Sequence, residues 1–503
     1  MVTLPNTGLV VSIVIGLFIA YRVNLIIYRL WFHPLSKFPG SKLWAATDLP
    51  YTYTGNISAT AVYHVAKFHR QYGPVVRIGP DRLAIDGSIG WPQVYARRVK
   101  GQAEFPKAPR IFGPAFEASL VAAPHDRHRR QRRQLAHAFS QSAISEQQSL
   151  ITGYVHLLLS RITERAERKE PVNVVQWLNF TTFDIISDLT YGESFGSLEG
   201  SEYHPWVLSL FKGLRGEAFK RACLNYPTVA SLLIRLFGGS NVKQSAKNTL
   251  VIQKKTDARM ALGPEPKGRR DFMTYMLRQN SDGQPGLSHV EIHANSAALV
   301  VAGSETTASA LSAFFFYLGQ APRAKKLVLQ DIREEFQDQS EIDVNFNTAK
   351  LEYLHAALEE TLRVYPPAAS TPPRECPGAD IDGKYVPAGT IIHVMQWATF
   401  RNPRHFRDAD AFCPERWLKP SHPLYDAKFE NDNRAAFKPF STGPRDCIGK
   451  NLAYAEMRLI VCHLLYKLDF ELVPGQEDWH AKQRAYFVWD KGPLYVRFSL
   501  RSS

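Results

Sequence analysis

One stretch limits the fold more than any other. Ser288-x-x-Glu291 has the form of a capping box, and the run it opens continues to Gly319, with Pro322 beyond. Between Ile292 and Pro322 the only formally charged residue is Glu305. At ~1.5 Å per residue such a helix is on the order of 45 Å long and would cross a whole domain. A membrane span could look similar, but the Ser, Thr, Asn and His content with an acid at mid-length predicts a buried central helix. A lone carboxylate in apolar surroundings is costly unless it is paired or working. Glu305 is therefore a candidate functional residue.

The rest of the chain is organised around that helix without internal repeats. With 503 residues, 45% of them apolar and 21% charged, the chain can bury a large core and is not disordered. Gly73–Asp86 reads as two short strands around a Gly79-Pro80-Asp81 turn. Sheet signals return at Tyr385–Met395 and in AYFVWDKGPLYVRFSL near the end, which reads as a hairpin. Most of the intervening sequence shows helical periodicity. The expected class is mainly α with small segregated β-sheets, in one catalytic unit over 46–503.

The first residues read differently. Gly8–Tyr21 carries no charge, and the apolar character resumes beyond Arg22 as far as Phe32. Read through to about Tyr28, with Arg22 snorkelling, the run is long enough to span a bilayer. No basic segment precedes it and no clean cleavage site comes after it, which argues against a removed signal peptide. Arg22, Arg29, Lys37 and Lys42 put the C-terminal bulk on the cytosolic side. The expected organisation is a membrane anchor over 1–32 and a proline-stiffened connector over 33–45. A cytosolic body predicts that the glycosylation sequons at Asn56 and Asn179 stay unmodified.

Charge and cysteine usage remove some function classes. An excess of 61 Lys+Arg over 47 Asp+Glu leaves +14, which suits nucleic acid, an anionic membrane or an acidic partner. No nucleic-acid motif is present, so membrane and acidic partner are the better readings. Five cysteines with no CxxC pair argue against a disulfide framework and a zinc ribbon.

One of those cysteines stands in a distinctive loop, Phe440-Ser-Thr-Gly-Pro-Arg-Asp-Cys447-Ile-Gly449. Glycines on either side would let the backbone curl beneath a flat ligand. Arg445 and the N-terminus of a helix over Asn451–Tyr466 would make the setting electropositive, the condition for a reactive thiolate. The pattern resembles that of the cytochromes P-450, and three further motifs agree in the same order: Ala302-Gly-Ser-Glu305-Thr306, Glu360-Thr-Leu-Arg363 and Pro414-Glu-Arg416-Trp417. The resemblance implies the cytochrome P-450 fold with a single N-terminal transmembrane helix, and haem b (iron protoporphyrin IX) as cofactor. Cys447 would be the axial metal ligand, in a loop bounded by Phe440 and Gly449.

The resemblance also assigns roles. Glu305 and Thr306 would relay protons to iron-bound oxygen, with small Ala302 and Gly303 leaving room beside the helix. Glu360 and Arg363, at i,i+3, would form a buried structural triad with Arg416. His128, Arg132, Leu135 and Phe139 fall on one inward helical stripe. His128, Arg132, Arg374 and Arg445 would then hold the haem propionates. Arg127, Arg129, Arg130 and Arg133 would face an acidic electron donor. The substrate pocket would be lined by Gly101–Pro124, Ala298–Thr306 and Ala368–Pro373, including Phe105, Ile111, Phe112, Phe116 and Leu299.

The implied activity is a monooxygenase of the endoplasmic reticulum membrane, resembling fungal secondary-metabolism enzymes. NADPH–cytochrome P-450 reductase, with cytochrome b5 as an optional second donor, would supply electrons. The product would be a hydroxylated or epoxidised hydrophobic small molecule (terpenoid, polyketide, alkaloid or mycotoxin). The alternative is a reductase-independent isomerase or dehydratase acting on a peroxide, against which Glu305 and Thr306 count. A binding protein with an inactive haem site is a third class, and the intact cysteine loop opposes it.

Overall fold

A computed structural model describes residues 7–99, 102–108, 117–203, 215–216, 218–226, 239–279, 286–343 and 350–501. Its principal helices are α1 (Thr7–Ile27), α2 (Ala61–Tyr72), α3 (His125–Leu135), α4 (Gln148–Glu167), α5 (Val174–Tyr191), α6 (Gly239–Ala261), α7 (His289–Gly319), α8 (Pro322–Glu335), α9 (Glu352–Val364) and α10 (Lys450–Lys467).

The expected central helix is α7. Its capping box is closed at both bonds: the Glu291 N–H donates to Ser288 Oγ at 3.3 Å and the Ser288 N–H to Glu291 Oε2 at 2.9 Å. Its second half is packed on every side, with Ala308, Leu311, Ala313, Phe314 and Phe315 fully buried. A helix enclosed in this way is a core element and not a second span. Helix α5 lies along it at close range. A Cβ on Gly303 would stand 2.7 Å from Ile186, and Thr182 Oγ1 donates to the Ser304 carbonyl at 2.9 Å. Gly303 thus serves the α5–α7 contact.

Strands β1 (Val75–Gly79) and β2 (Arg82–Ile85) form the expected antiparallel pair, with an irregularity between Arg77 and Gly79. They continue through β7 (Ile391–His393) to β4 (Arg374–Glu375), β2 and β7 being parallel. Strand β4 thereby carries Arg374 into the interior. Strands β5 (Ala379–Ile381) and β6 (Lys384–Val386) make a separate hairpin.

The C-terminal end departs from the expected single hairpin. Strand β9 (Arg484–Ala485) pairs with β10 (Trp489–Asp490). After Gly492-Pro493 the chain runs away as β11 (Tyr495–Leu500), between β3 (Val172–Asn173) and β8 (Leu468–Leu472). Proline cannot donate to a ladder, so the pairing ends there and the last strand takes distant partners.

Helix α1 and a π-helical turn over Tyr28–Phe32 form an apolar stretch from Gly8 to Phe32, mean hydropathy 2.3 and with no buried residue, long enough to cross a membrane. The connector beyond it is fastened to the body. Leu35, Phe38 and Trp44 are buried, and the buried Arg77 guanidinium donates to the Arg29 and Pro80 carbonyls at 2.7 and 2.8 Å. Asn179 is buried inside α5, so its sequon is closed to modification by packing alone.

Candidate active site

The Cys447 loop is held by its own backbone. The Cys447 N–H donates to the Phe440 carbonyl at 2.9 Å, and the Asp446 N–H to Gly443 at 3.1 Å. Gly443 is required twice, with φ +82° and a Cβ position only 2.1 Å from the Tyr95 carbonyl oxygen. Gly449 differs. It caps α10 with φ −87°, and no protein atom crowds its Cβ position closer than Phe139 at 3.8 Å. Its N–H instead reaches the sulfur. Phe440 packs its ring 5.1 Å from that of Tyr454.

Burial raises the Cys447 thiol above its ordinary value, the Asp446 carboxylate adds to the rise, and the Gly449 N–H, Arg132 and Lys450 oppose it. Arg445 does not supply the electropositive setting expected of it. Its guanidinium turns away, Nε to Glu104 at 2.5 Å and Nη1 to the Ala123 carbonyl at 2.9 Å. The side chain of Cys447 is nevertheless accessible though protein surrounds it.

The expected cationic residues do converge, with an unexpected fourth cation. Arg132 bonds the Asp446 carboxylate at 2.5 Å and its carbonyl at 2.6 Å. Arg374 lies with its guanidinium 4.8 Å from the Tyr95 ring and donates to the Phe105 carbonyl at 3.2 Å. Its Nε is buried with no hydrogen-bond partner among the described residues. Lys107, from the loop before α3, donates to the Val121 carbonyl. Burial, then Arg374, Arg445 and Arg132, hold its ammonium far below the usual lysine range. His128 is buried, and its pKa falls to about 3 through burial, Arg445, Lys107 and Arg132. Arg132, Arg374 and Arg445, with Lys107 beside them, thus meet only the carboxylates of Glu104 and Asp446, so basic side chains outnumber acids there. A flat group bearing carboxylates fits that basic cluster and the Arg374 Nε, which has no hydrogen-bond partner among the described residues, as haem does.

Glu305 is buried, and Lys491 of the β10–β11 turn forms an ion pair with its Oε1. Ser309 Oγ donates to the same oxygen at 3.2 Å and accepts from Lys491 Nζ at 2.9 Å. Oε2 has no partner. Thr306 Oγ1 donates to the Ala302 carbonyl at 2.6 Å, back along its own helix. Glu305 is therefore fixed by a lysine that local sequence could not reveal. On the same helix Val301 and Ala302 are exposed and Thr306 is half-buried, whereas Ser304, Glu305 and Thr307 are buried.

The expected triad is present and fully buried. Glu360 receives Arg363 twice at 2.8 Å, Arg416 Nε at 3.1 Å, the Cys413 N–H at 2.8 Å and Trp417 Nε1 at 2.9 Å. Arg363 also donates to the Phe400, Ala409 and Ala411 carbonyls. Two arginines hold the Glu360 carboxyl below the usual range despite burial. The network fastens α9 to the segment that leads into the cysteine loop.

The remaining arginines of α3 divide. Arg127 and Arg130 reach Glu291, at the start of α7, so they do not stand free for a donor. Arg129 and Arg133 are exposed and have no partner among the described residues. Of the expected pocket residues, Ile111, Phe112 and Phe116 lie outside the described residues. Phe105 is buried beneath Arg98, 5.1 Å from its ring, and so packs and does not line open space. Leu299 is half-buried.

Comparison with known proteins agrees with this geometry. A family model described as cytochrome P-450 matches residues 50–498. The chain is 40% identical over 493 residues to the cytochrome P-450 monooxygenase astJ of Aspergillus oryzae, covering 96% of each chain. It is 38% identical to the averantin hydroxylase of Dothistroma septosporum, covering 97% of this chain and 91% of that one. It is 36% identical to the trichothecene C-15 hydroxylase of Fusarium sporotrichioides, covering 96% of each chain.

Proposed function

The chain belongs to the cytochrome P-450 family, and on that premise we propose that it uses O2 and NADPH-derived electrons to hydroxylate or epoxidise a hydrophobic fungal secondary metabolite. As a haem-thiolate oxidoreductase of the monooxygenase type it carries haem iron and needs a redox partner. In this proposal haem b is the form bound, Cys447 its iron ligand, and NADPH–cytochrome P-450 reductase the donor, at the endoplasmic reticulum membrane. Relatives named for hydroxylation of averantin and of a trichothecene support hydroxylation as the first reaction to test.

When bound, the haem supplies oxygen activation, with the cysteine thiolate pushing electron density toward O–O cleavage. The protein's part is to hold and supply protons. Arg132, Arg374, Arg445, Lys107 and His128 would hold the propionates, and Cys447 would release to water the proton that burial retains in order to ligate iron as a thiolate. The Gly449 N–H and the N-terminus of α10 then stabilise the sulfur charge. Thr306 Oγ can rotate from the Ala302 carbonyl to donate toward the ligand face. Glu305, held by Lys491 and Ser309, stands next in sequence to resupply that hydroxyl through water.

The observation that carries this reading is an accessible Cys447 in its glycine-bounded loop beside the converging side chains of Arg132, Arg374, Arg445 and Lys107. Its test is spectroscopic. The reduced, carbon-monoxide-bound protein is expected to show the red-shifted thiolate band, and Cys447→Ala to lose it together with NADPH-dependent oxidation. Retention of both by the variant, or turnover with peroxide alone and no need of NADPH, overturns the proposal.

A further inference from the structure

Three side chains near the start of α7 have no part in the haem site. His289 and His293 are one helical turn apart, so their rings project from the same side of the helix. Asp257 of α6 faces them, its Oδ1 2.8 Å from His293 Nε2. One ligand atom from each of the three lies within 4.8 Å of the others. Asp257 and His289 are exposed and His293 is half-buried, so an ion can reach them from solvent.

We infer that Asp257, His289 and His293 form a binding site for a divalent transition metal of the zinc class, joining α6 to α7. Two imidazoles and one carboxylate are a nitrogen-rich set, which suits zinc, cobalt or nickel. Magnesium and calcium take oxygen ligands instead. Three protein ligands with water completing the shell is a recurrent zinc arrangement. At ~2.0–2.2 Å from such an ion, ligand atoms stand roughly 3.4 Å apart, so a spacing within 4.8 Å closes by small side-chain rotations.

A plain hydrogen bond between His293 and Asp257 explains two of the three residues. It leaves His289 unexplained, since that ring has no polar partner among the described residues, yet it turns to the same point. The ion would tie the first turns of the central helix to α6, a clamp remote in chemistry from the haem.

The test is calorimetric titration of the tag-free, haem-loaded full chain with zinc chloride after chelator treatment, with magnesium chloride as comparison. One zinc per chain is expected, with magnesium taken up at least ~100-fold more weakly. His289→Ala and Asp257→Asn are each expected to weaken zinc by ~10-fold or more while the carbon-monoxide spectrum stays unchanged. Zinc should also raise the wild-type melting temperature and leave that of His289→Ala where it was. Absence of a stoichiometric site, or zinc binding unaltered in both variants, or equal affinity for magnesium, overturns the inference.

Discussion

Lys491 is the residue on which the proton-handling side of the molecule turns. Its ammonium is almost wholly buried against Glu305, and Ser309 joins the two. Removing one partner of such a pair strands the other charge in a poorly solvated place, which costs about 3–5 kcal/mol. Lys491→Met is therefore expected to lower unfolding free energy by about 3 kcal/mol, and Glu305→Gln by a similar amount. The double variant should recover at least about 1 kcal/mol relative to the sum of the two, since it leaves no charge alone. Urea unfolding of the haem-loaded protein reads the cycle, and strict additivity would mean that the pair is not formed. In turnover, both single variants should consume NADPH faster than they make product, because the acid beside Thr306 is missing or misplaced. None of this is legible locally. Glu305 announces itself by being alone in an apolar helix, whereas Lys491 sits in an ordinary turn 186 residues later.

At the scale of elements, the joint between α7 and α10 contains a second buried acid, Glu456, which hydrogen-bonds Thr307. Burial raises its pKa to about 8, whereas an unfolded-chain glutamate titrates near about 4.3. Between those values the folded protein holds a proton that the unfolded chain has released. Stability therefore falls as pH rises through that window, and the fall ends above about pH 8. Glu456→Gln removes the titration. It should match wild type near about pH 4 and exceed it by on the order of 5 kcal/mol at about pH 8, as measured by unfolding midpoints across that range. A variant less stable than wild type at the alkaline end would sink the account. Elements differ in how far sequence reveals them. The α7 capping box, the β1–β2 pair and the Glu360–Arg363 spacing are readable because each is closed within a few residues. The C-terminal strands do not form the single hairpin their sequence suggests, because β11 takes both its partners from distant parts of the chain. Glu104, Lys107 and Asp446 escape a local reading for the same reason. Each acquires its meaning only when loops separated by hundreds of residues meet Arg445, Arg374 and Arg132.

For the whole molecule, charge and anchoring set how it meets its surroundings. The net charge of +14 is distributed, and among the described residues of α3 only Arg129 and Arg133 of the four outward arginines remain free for an acidic donor. Reversing both to Glu should raise the reductase concentration needed for half-maximal turnover by ~10-fold at low salt, with the difference shrinking as ionic strength rises. Turnover of wild type that ignores salt would remove the docking assignment. The anchor gives a sharper boundary. None of the apolar stretch from Gly8 is buried, so removing α1 should abolish binding to lipid vesicles. Where the cut falls decides whether the body survives intact. The Arg29 carbonyl receives a bond from buried Arg77, and an unsatisfied buried donor costs about 1–3 kcal/mol. A chain starting at Tyr28 keeps that carbonyl and should unfold at the wild-type denaturant concentration. One starting at His33 loses it and should be about 2 kcal/mol weaker. A chain starting at Trp44 also loses Leu35 and Phe38, both buried, at about 2 kcal/mol each. Graded loss across the three chains, with vesicle binding absent from all of them, is the expected result. Equal stability of all three would mean that the connector is not part of the folded body.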